Sequence, residues 1–226
     1  MLIAEDLLLL LTDDATGKPV VDSQRLSSGL AGAVLVELVV AGRLAITDAG
    51  RWGSGSRVAV TSPAPLGDPV LDEALRRSAL RGQPVGAQAL LGTLAKGLPD
   101  ALRGRLVERQ ILRAEEGRVL GIFPTRAWPA TDSRHEAQVR AALWDVVVQG
   151  RTPTDREVCL VALLHAVGQV PKQFATAGMT ARQLRDRAKA LSEGNVGGEA
   201  VRRAIEAAEA AVIAAVAVTT IASSSS

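Results

Sequence analysis

The chain has 226 residues, 47% of them hydrophobic and 22% charged, with a formal net charge of only +2. This composition supports one sizeable core and excludes a disordered chain, and glycine and proline follow no collagen-like period. The single cysteine, Cys159, excludes an intrachain disulfide framework and a cysteine-ligated zinc ribbon. Aromatic residues make up 2%, too few for a base-stacking platform, so we expect no nucleic-acid partner.

Neither end of the sequence predicts a targeting or membrane-spanning segment. Met1–Asp14 lacks a basic stretch and carries Glu5 and Asp6 near its start, unlike a signal peptide. The apolar runs Leu7–Leu11 and Ala210–Ala222 fall short of the roughly 20 residues that a spanning helix needs. We interpret both as core helices, so that membrane contact would be peripheral and the protein cytoplasmic. Ser223–Ser226 predict a disordered tail.

Hydrophobic periodicity and capping residues predict mostly helices, the first at Ile3–Leu11. The second runs from Gly29 to Ala41, with Ser27 and Ser28 as N-caps. It is apolar all round except at Glu37, which is typical of a helix at the centre of a bundle. A carboxylate in that position is costly without a partner, so we expect an arginine to pair with Glu37.

The rest of the chain continues the helical pattern with few strands. Arg43–Thr61 is glycine-rich with a weak strand pattern, and further helices are predicted at 69–79, 87–95, 101–109, 133–149, 154–167, 180–191 and 199–221. Apolar residues on both sides of the polar run Glu115–Gly117 predict a hairpin with that run as its turn, followed by a loop at Pro124–Pro129. We therefore predict an all-α fold: a single-domain helical bundle with surrounding amphipathic helices and one small β-hairpin.

No combination of side chains predicts catalysis or metal binding. Cys159 and His165 lie six residues apart on one predicted helix, about 240° around its axis, so they cannot share a face. We interpret both as core residues, and His135 lacks ligand-spaced neighbours. Gly29 and Gly32 lack the strand–turn–helix context of a phosphate-binding loop, which favours close helix packing. We expect no enzyme, no cofactor and no metal.

Basic residues are grouped along the chain. One group precedes and enters the hairpin, a second lies in the glycine-rich loop, and a third lies on the helix predicted at 180–191. In that order they are Lys96, Arg103, Arg105, Arg109 and Arg113; Arg51 and Arg57; and Arg182, Arg185, Arg187 and Lys189. Each group fits either a solvated charged face or a surface for phosphate or anionic lipid.

Four segments carry a resemblance to a known family. LSSGLAGAVLVELVVAGRL, at Leu26–Leu44, resembles the signature of the Golgi phosphoprotein 3 family. Later pieces follow in the family's order: APLGDPVLDEAL at Ala64–Leu75, RLVERQIL at Arg105–Leu112 and TPTDREVCLVALLHA at Thr152–Ala166. The resemblance extends from about Leu2 to Ala222, so we assign residues 1–222 to one Golgi phosphoprotein 3-like domain and 223–226 to the tail.

The resemblance implies a mostly helical domain with a projecting hairpin and a non-enzymatic peripheral membrane protein. Eukaryotic members recognise the phosphatidylinositol 4-phosphate head group on Golgi membranes. They also help retain glycosyltransferases by binding their cytosolic tails, and their hairpin is linked to membrane insertion or self-association. Only 4 of the 26 basic residues here are lysine, and this arginine usage, with the alanine-rich helices, suggests a bacterial member.

The head-group pocket of eukaryotic members uses one tryptophan and three arginines. Here the tryptophan position holds Asp22, and the arginine position directly after SSGL holds Ala31. The other two arginine positions hold Lys96 and Pro99. Lys96 alone keeps a basic group, and an acid at Asp22 would repel phosphate.

Two functions are weighed on these grounds. The first is recognition of a phosphoinositide or other anionic lipid head group, with contacts predicted at Lys96, Arg103, Arg51 and Arg57 and an interfacial anchor at Trp52. The second is a scaffold without lipid ligand, which binds partner tails or a second copy through the hairpin edge. That edge would use Ile111, Leu112, Val119, Leu120, Ile122 and Phe123. We favour the first because the resemblance supports it.

Overall fold

A computed structural model describes residues 1–47, 55–81, 84–119, 123–194 and 198–223, with the side chains of 117–119, 123–125 and 218–223 left out. The helices are α1 (Ile3–Leu10), α2 (Ser23–Val40), α3 (Pro69–Ala79), α4 (Ala87–Leu94), α5 (Leu98–Glu108), α6 (Arg134–Trp144), α7 (Asp155–Ala166), α8 (Val170–Gln173), α9 (Ala181–Ser192) and α10 (Glu199–Ser223). The strands are β1 (Leu44–Thr47), β2 (Arg57–Val60), β3 (Val85–Gly86), β4 (Glu115–Val119) and β5 (Phe123–Ala127). The mostly helical architecture confirms the predicted fold class.

Helix α2 is the centre of the bundle, as its apolar sequence predicts. It packs against α1, α7 and α10, and also against α3, α4 and α5. Its start was predicted wrongly: the helix begins at Ser23, and Asp22 caps it by accepting a hydrogen bond from the Arg25 backbone N–H at 2.8 Å. Ser28 lies buried inside the helix. Aspartate and serine are similarly good caps, so the pattern alone does not choose between them.

The two glycines of α2 allow its neighbours to approach closely. A Cβ built on Gly32 would lie 2.9 Å from Leu163 Cδ2 of α7 and 3.0 Å from Val212 Cγ2 of α10. A Cβ on Gly29 would lie 3.0 Å from Val167 Cγ1. These distances confirm the predicted role of both residues in helix packing.

We expect Gly32→Val to lower the free energy of unfolding by about 2–3 kcal/mol, because two branched methyl groups would overpack this three-helix contact. Gly92→Val is the matched control, since Gly92 lies in α4 with no heavy atom within 4 Å of its added Cβ. We expect the control to stay within about 0.5 kcal/mol of wild type, because valine has a better helix propensity than glycine. Urea unfolding measures both, and equal losses would contradict the packing role.

Short strands close one side of the bundle. β1, β2 and β3 form an antiparallel sheet in that order, with Leu44 opposite Val60 and Val58 opposite Val85. The weak strand pattern of the glycine-rich segment is thus confirmed, while β3 was not predicted. Leu44 and Val58 point into the core, and the sheet rests on α2 and α10 through β1.

The predicted hairpin is formed by β4 and β5, which pair from Glu115 with Ala127 to Val119 with Phe123, and residues 120–122 lie outside the described ones. The polar run Glu115–Gly117, predicted as the turn, lies inside β4, and residues 124–127, predicted as loop, form part of β5. Charges across the hairpin are consistent with this pairing: Glu116 lies opposite Arg126, with Arg126 Nη2 3.6 Å from Glu116 Oε1, and opposite charges in register favour two paired strands.

The predicted apolar edge of the hairpin is smaller than expected. Leu112 precedes β4, is 3% exposed, and pairs through its backbone with Ala130, so it belongs to the core. Ile111 is half-buried beside it. The remaining edge residues fall outside the described residues or side chains; they are Val119, Leu120, Ile122 and Phe123. A scaffold acting through this edge therefore stays a prediction.

Helix ends elsewhere differ from the prediction for local reasons. α5 begins at Leu98 instead of Ala101, because Gly97 turns the chain with φ +70° and Pro99 fits the first turn, where no N–H is needed. The predicted helix at 133–149 becomes α6 followed by a wider turn at Asp145–Gln149. Ser223, predicted as the start of the tail, is the last residue of α10.

A backbone clamp joins the segment after α1 to the segment after the hairpin. Gly17 has φ +62°, and its carbonyl accepts a hydrogen bond from the Trp128 backbone N–H at 2.9 Å. Next to it, the Ala130 N–H donates to the Asp14 carbonyl at 3.1 Å. The clamp fixes Trp128 at the base of the hairpin, against α5.

Candidate functional site

The candidate site is a groove between α3 and α5, which run antiparallel. Asp68 caps α3 by accepting hydrogen bonds from the N–H groups of Val70 and Leu71 at 2.9 and 3.2 Å. The same carboxylate accepts two hydrogen bonds from Arg105, near the end of α5, at 2.7 and 2.8 Å. At the opposite end Arg77 Nη1 donates to the Lys96 carbonyl at 2.5 Å. These contacts enclose a cavity of about 510 Å³, the α3–α5 groove.

The groove combines an apolar floor with charged ends. The floor is made of small and aliphatic side chains, which are Pro69, Val70, Ala74, Leu94, Leu98 and Ala101. The charged lining residues are Glu73, Arg77, Lys96, Arg105, Glu108 and Arg109. A cavity of this size, mostly apolar with a few charged groups, has the character of a small-ligand site.

One end of the groove, the cationic end, carries more positive than negative charge. Glu73 accepts hydrogen bonds from the Nε atoms of Arg76 and Arg77, both at 2.7 Å, and these bonds lower the pKa of Glu73 to about 2. Lys96 lies exposed beside them and makes no ion pair within the described part of the chain. Glu73 is therefore paired with two guanidinium groups, and the Lys96 ammonium adds a third positive charge nearby.

The other end, the neutralised end, is balanced by buried acids. Glu5 is fully buried, and its Oε atoms lie 3.2 Å from Arg105 Nε and 3.2 Å from Arg109 Nη1. Burial alone would raise the pKa of Asp68, but hydrogen bonds from Arg105 and from the start of α3 outweigh it and lower that pKa. The guanidinium groups here hold α1, α3 and α5 together.

The predicted contacts are not all brought together. Lys96 lies in the groove, whereas Arg103 has only 12% of its side chain exposed and stacks 4.1 Å above the Trp128 ring. Arg57, the first residue of β2, donates a hydrogen bond to the Pro84 carbonyl and is not one of the groove-lining residues. Arg51 and Trp52 lie outside the described residues.

The positions of the eukaryotic pocket are occupied differently in this chain. Asp22 is committed to capping α2 and pairs with Arg25 at 3.4 Å. Ala31 is fully buried in the core, and Pro99 occupies the first turn of α5. Arg77 is the groove residue that sequence reasoning missed. The sequence signal for Arg77 is its position four residues after Glu73, on the same face of α3. The same spacing is typical of an ordinary surface ion pair.

The expectation of an arginine partner for Glu37 is wrong. Glu37 Oε1 instead accepts a hydrogen bond from the Ile3 backbone N–H at 2.7 Å, at the start of α1. A helix start offers free N–H groups and partial positive charge, which can replace a cation. Its Oε2 has no hydrogen-bond partner among the described residues, and burial raises the pKa of Glu37 to about 7.

Cys159 is part of the core, as predicted, and His165 lies near the end of α7 with 21% of its side chain exposed. Cys159 is buried within α7, and burial raises the pKa of its thiol far above the usual range. His165 Nδ1 lies 2.8 Å from Glu209 Oε1, and His135 Nε2 lies 2.8 Å from Asp6 Oδ1. Within the described ranges, no three His, Cys, Asp or Glu side chains come together as a metal site.

A comparison with protein-family models settles the relationship of the chain. The model of Golgi phosphoprotein 3 (GPP34) matches residues 3–208, which is 206 of the 226 residues. The chain belongs to the Golgi phosphoprotein 3 family. In this family member the SSGL segment lies in α2, and the late motif forms α7 with its Thr154 cap. Among the described helices, none has the length and apolar character needed to cross a bilayer.

Proposed function

We propose that this family member is a non-enzymatic protein that binds a phosphoinositide or another anionic lipid head group at the cytoplasmic face of a membrane. The cationic end of the α3–α5 groove would receive the phosphate. The observation that supports this is the charge count there: Arg77 and Lys96 line the cationic end with Glu73 as its carboxylate, and Glu73 is also paired with Arg76, which lies outside the lining. Membership of the family adds support, because phosphoinositide recognition is the activity that the resemblance implies.

The chemistry of the cationic end suits a phosphate. A guanidinium offers paired N–H donors that match two phosphate oxygens, and an ammonium adds a compact charge. The existing pairs of Glu73 are accessible, with 40% of its side chain exposed, and such surface pairs are screened by solvent and contribute little to stability. A phosphate can therefore replace Glu73 as the hydrogen-bond partner of Arg77 with little loss of stability.

Reversing the charge of Lys96 tests this proposal. We expect wild-type protein to float with phosphatidylcholine vesicles that contain phosphatidylinositol 4-phosphate, more strongly at low salt, and not with phosphatidylcholine alone. Lys96→Glu should weaken that binding by about 25-fold. Each basic residue near an anionic surface contributes about 1 kcal/mol, and the substitution changes the net charge by two units.

Lys189→Glu is the matched control, because Lys189 lies exposed on α9 and does not line the groove. It makes the same change in net charge away from the cationic end, so we expect a several-fold smaller loss. Equal flotation of wild type with charged and uncharged vesicles would refute lipid binding. Equal losses in the two variants would refute the placement of the site.

A further inference from the structure

We infer that the α3–α5 groove takes an anionic amphiphile, with the phosphate at the cationic end and the first apolar carbons of the lipid lying along the groove floor. This inference rests on the proposed function and deepens it, because it adds a hydrocarbon contact to head-group recognition. The protein would then recognise a lipid molecule instead of a head group alone.

The composition of the floor supports an apolar occupant. Leu94, Leu98 and Val70 each expose 8% or less of their surface, so they form a firm base, and Ala74 is buried between them. Ala101 lies exposed above this base, on the α5 wall. A free inositol phosphate or phosphate ion would leave this apolar surface in water, whereas hydrocarbon would cover it.

The charges of the groove set the orientation of the occupant. Arg105 and Arg109 at the neutralised end are already paired with Glu5 and Asp68, so a second anion gains little there. The ammonium of Lys96, which makes no ion pair with any described residue, lies at the opposite end. From Leu98 to Arg105 the helix rises roughly 10 Å, which leaves room for a few methylene groups beyond the phosphate.

Two soluble probes with the same phosphate separate the hydrocarbon contact from the charge contact. Dihexanoyl phosphatidic acid, kept below its micelle concentration, carries short acyl chains, and glycerol 3-phosphate carries none. Isothermal titration should show tighter binding of the acylated probe, by roughly tenfold for every two methylene groups that the groove buries.

Ala101→Gln places a polar side chain over the floor without adding charge or lowering helix propensity much. We expect it to weaken binding of the acylated probe by roughly tenfold and leave glycerol 3-phosphate unchanged. Ala141→Gln, at an exposed position of α6, is the matched control and should change neither. Thermal unfolding of both variants checks that the fold is intact.

The outcomes distinguish this inference from the proposed function. Equal affinity for the two probes would overturn the hydrocarbon contact and leave phosphate binding intact. Equal affinity of wild type and Ala101→Gln for the acylated probe would do the same. Absence of binding by both probes would overturn this inference, while flotation with vesicles that contain phosphatidylinositol 4-phosphate tests the proposed function separately. Binding of the acylated probe that Lys96→Glu does not weaken would overturn the orientation inferred here.

Discussion

Gly17→Ala is expected to lower the free energy of unfolding by about 4 kcal/mol, a loss at the upper end of what single substitutions cause. A Cβ at this position would lie 2.1 Å from the Pro129 nitrogen and 2.3 Å from the Trp128 nitrogen. Both are backbone atoms, so no rotamer change can relieve the clash. The clamp between the two segments would have to open, and its hydrogen bond from Trp128 to Gly17 would be lost.

Gly178→Ala separates this close approach from the cost of the backbone conformation. Gly178 has φ +68°, nearly the same as Gly17, but no heavy atom lies within 4 Å of its added Cβ. We expect the control to lose about 1–2 kcal/mol, the cost of a left-handed conformation for alanine. Urea unfolding of both variants gives the difference, and equal losses would show that the clamp tolerates a methyl group.

The clamp also positions groups near the groove, so the same variant has a second readout. Trp128 holds the Arg103 guanidinium over its ring, which ties the base of the hairpin to α5. In Gly17→Ala we expect the tryptophan fluorescence of the folded protein to shift as Trp128 gains water. Gly178→Ala should leave that spectrum unchanged.

Glu37→Gln is expected to stabilise the protein above neutral pH by about 2–3 kcal/mol. Burial holds the pKa of Glu37 at about 7 in the folded state, against 4.5 when it is unperturbed. The folded state therefore binds a proton more tightly than the unfolded state does. The contribution of Glu37 to stability is complete below pH 4.5 and is lost as the pH rises through 7.

The surroundings of Glu37 explain why glutamine should be accepted. Glutamine keeps an oxygen that can accept the hydrogen bond from the Ile3 N–H, and it avoids the cost of a buried charge. Glu5 of α1 raises the pKa of Glu37, and Arg156 of α7 lowers it less than burial raises it. The new amide N–H₂ lies in the field of Glu5, whose Oε1 lacks a hydrogen-bond partner.

The measurement is the difference in unfolding free energy between Glu37→Gln and wild type, followed by urea unfolding from pH 5 to pH 9. The difference should be small at pH 5, grow between pH 5 and pH 7, and level off above pH 7. Glu108→Gln, at an exposed position of α5, should show no such trend. A difference that stays flat with pH would mean that Glu37 is charged throughout and adequately stabilised.

Local signals predicted most of the fold. Asp68 followed by Pro69, and the Thr154 capping box, place the starts of α3 and α7 because the relevant hydrogen bonds form within three residues. The apolar pattern of α2 predicted its central position. It could not predict the start at Ser23, because Asp22 and Ser27 are both adequate caps and tertiary packing decides between them.

The candidate site depended on contacts that leave no local signal. Lys96 was predicted from the family pattern, but its partner Arg77 lies 19 residues away on another helix. Arg105 joins Asp68 across 37 residues and Glu5 across 100, and these pairs bring the two walls of the groove together. Arg103 was predicted as a lipid contact or as part of a solvated charged face. Its pair with Asp100 is local, but its stacking on Trp128, 25 residues away, leaves no local signal.

The enclosure of Cys159 has a practical consequence for studying the groove. It is the only cysteine in the chain. Its side chain, on α7, is buried in the core, and burial keeps the thiol protonated by raising its pKa. Maleimide reagents require an accessible thiolate, so the native protein offers them no target. A cysteine introduced at an exposed site such as Gly104 could carry a fluorophore without removal of the natural one.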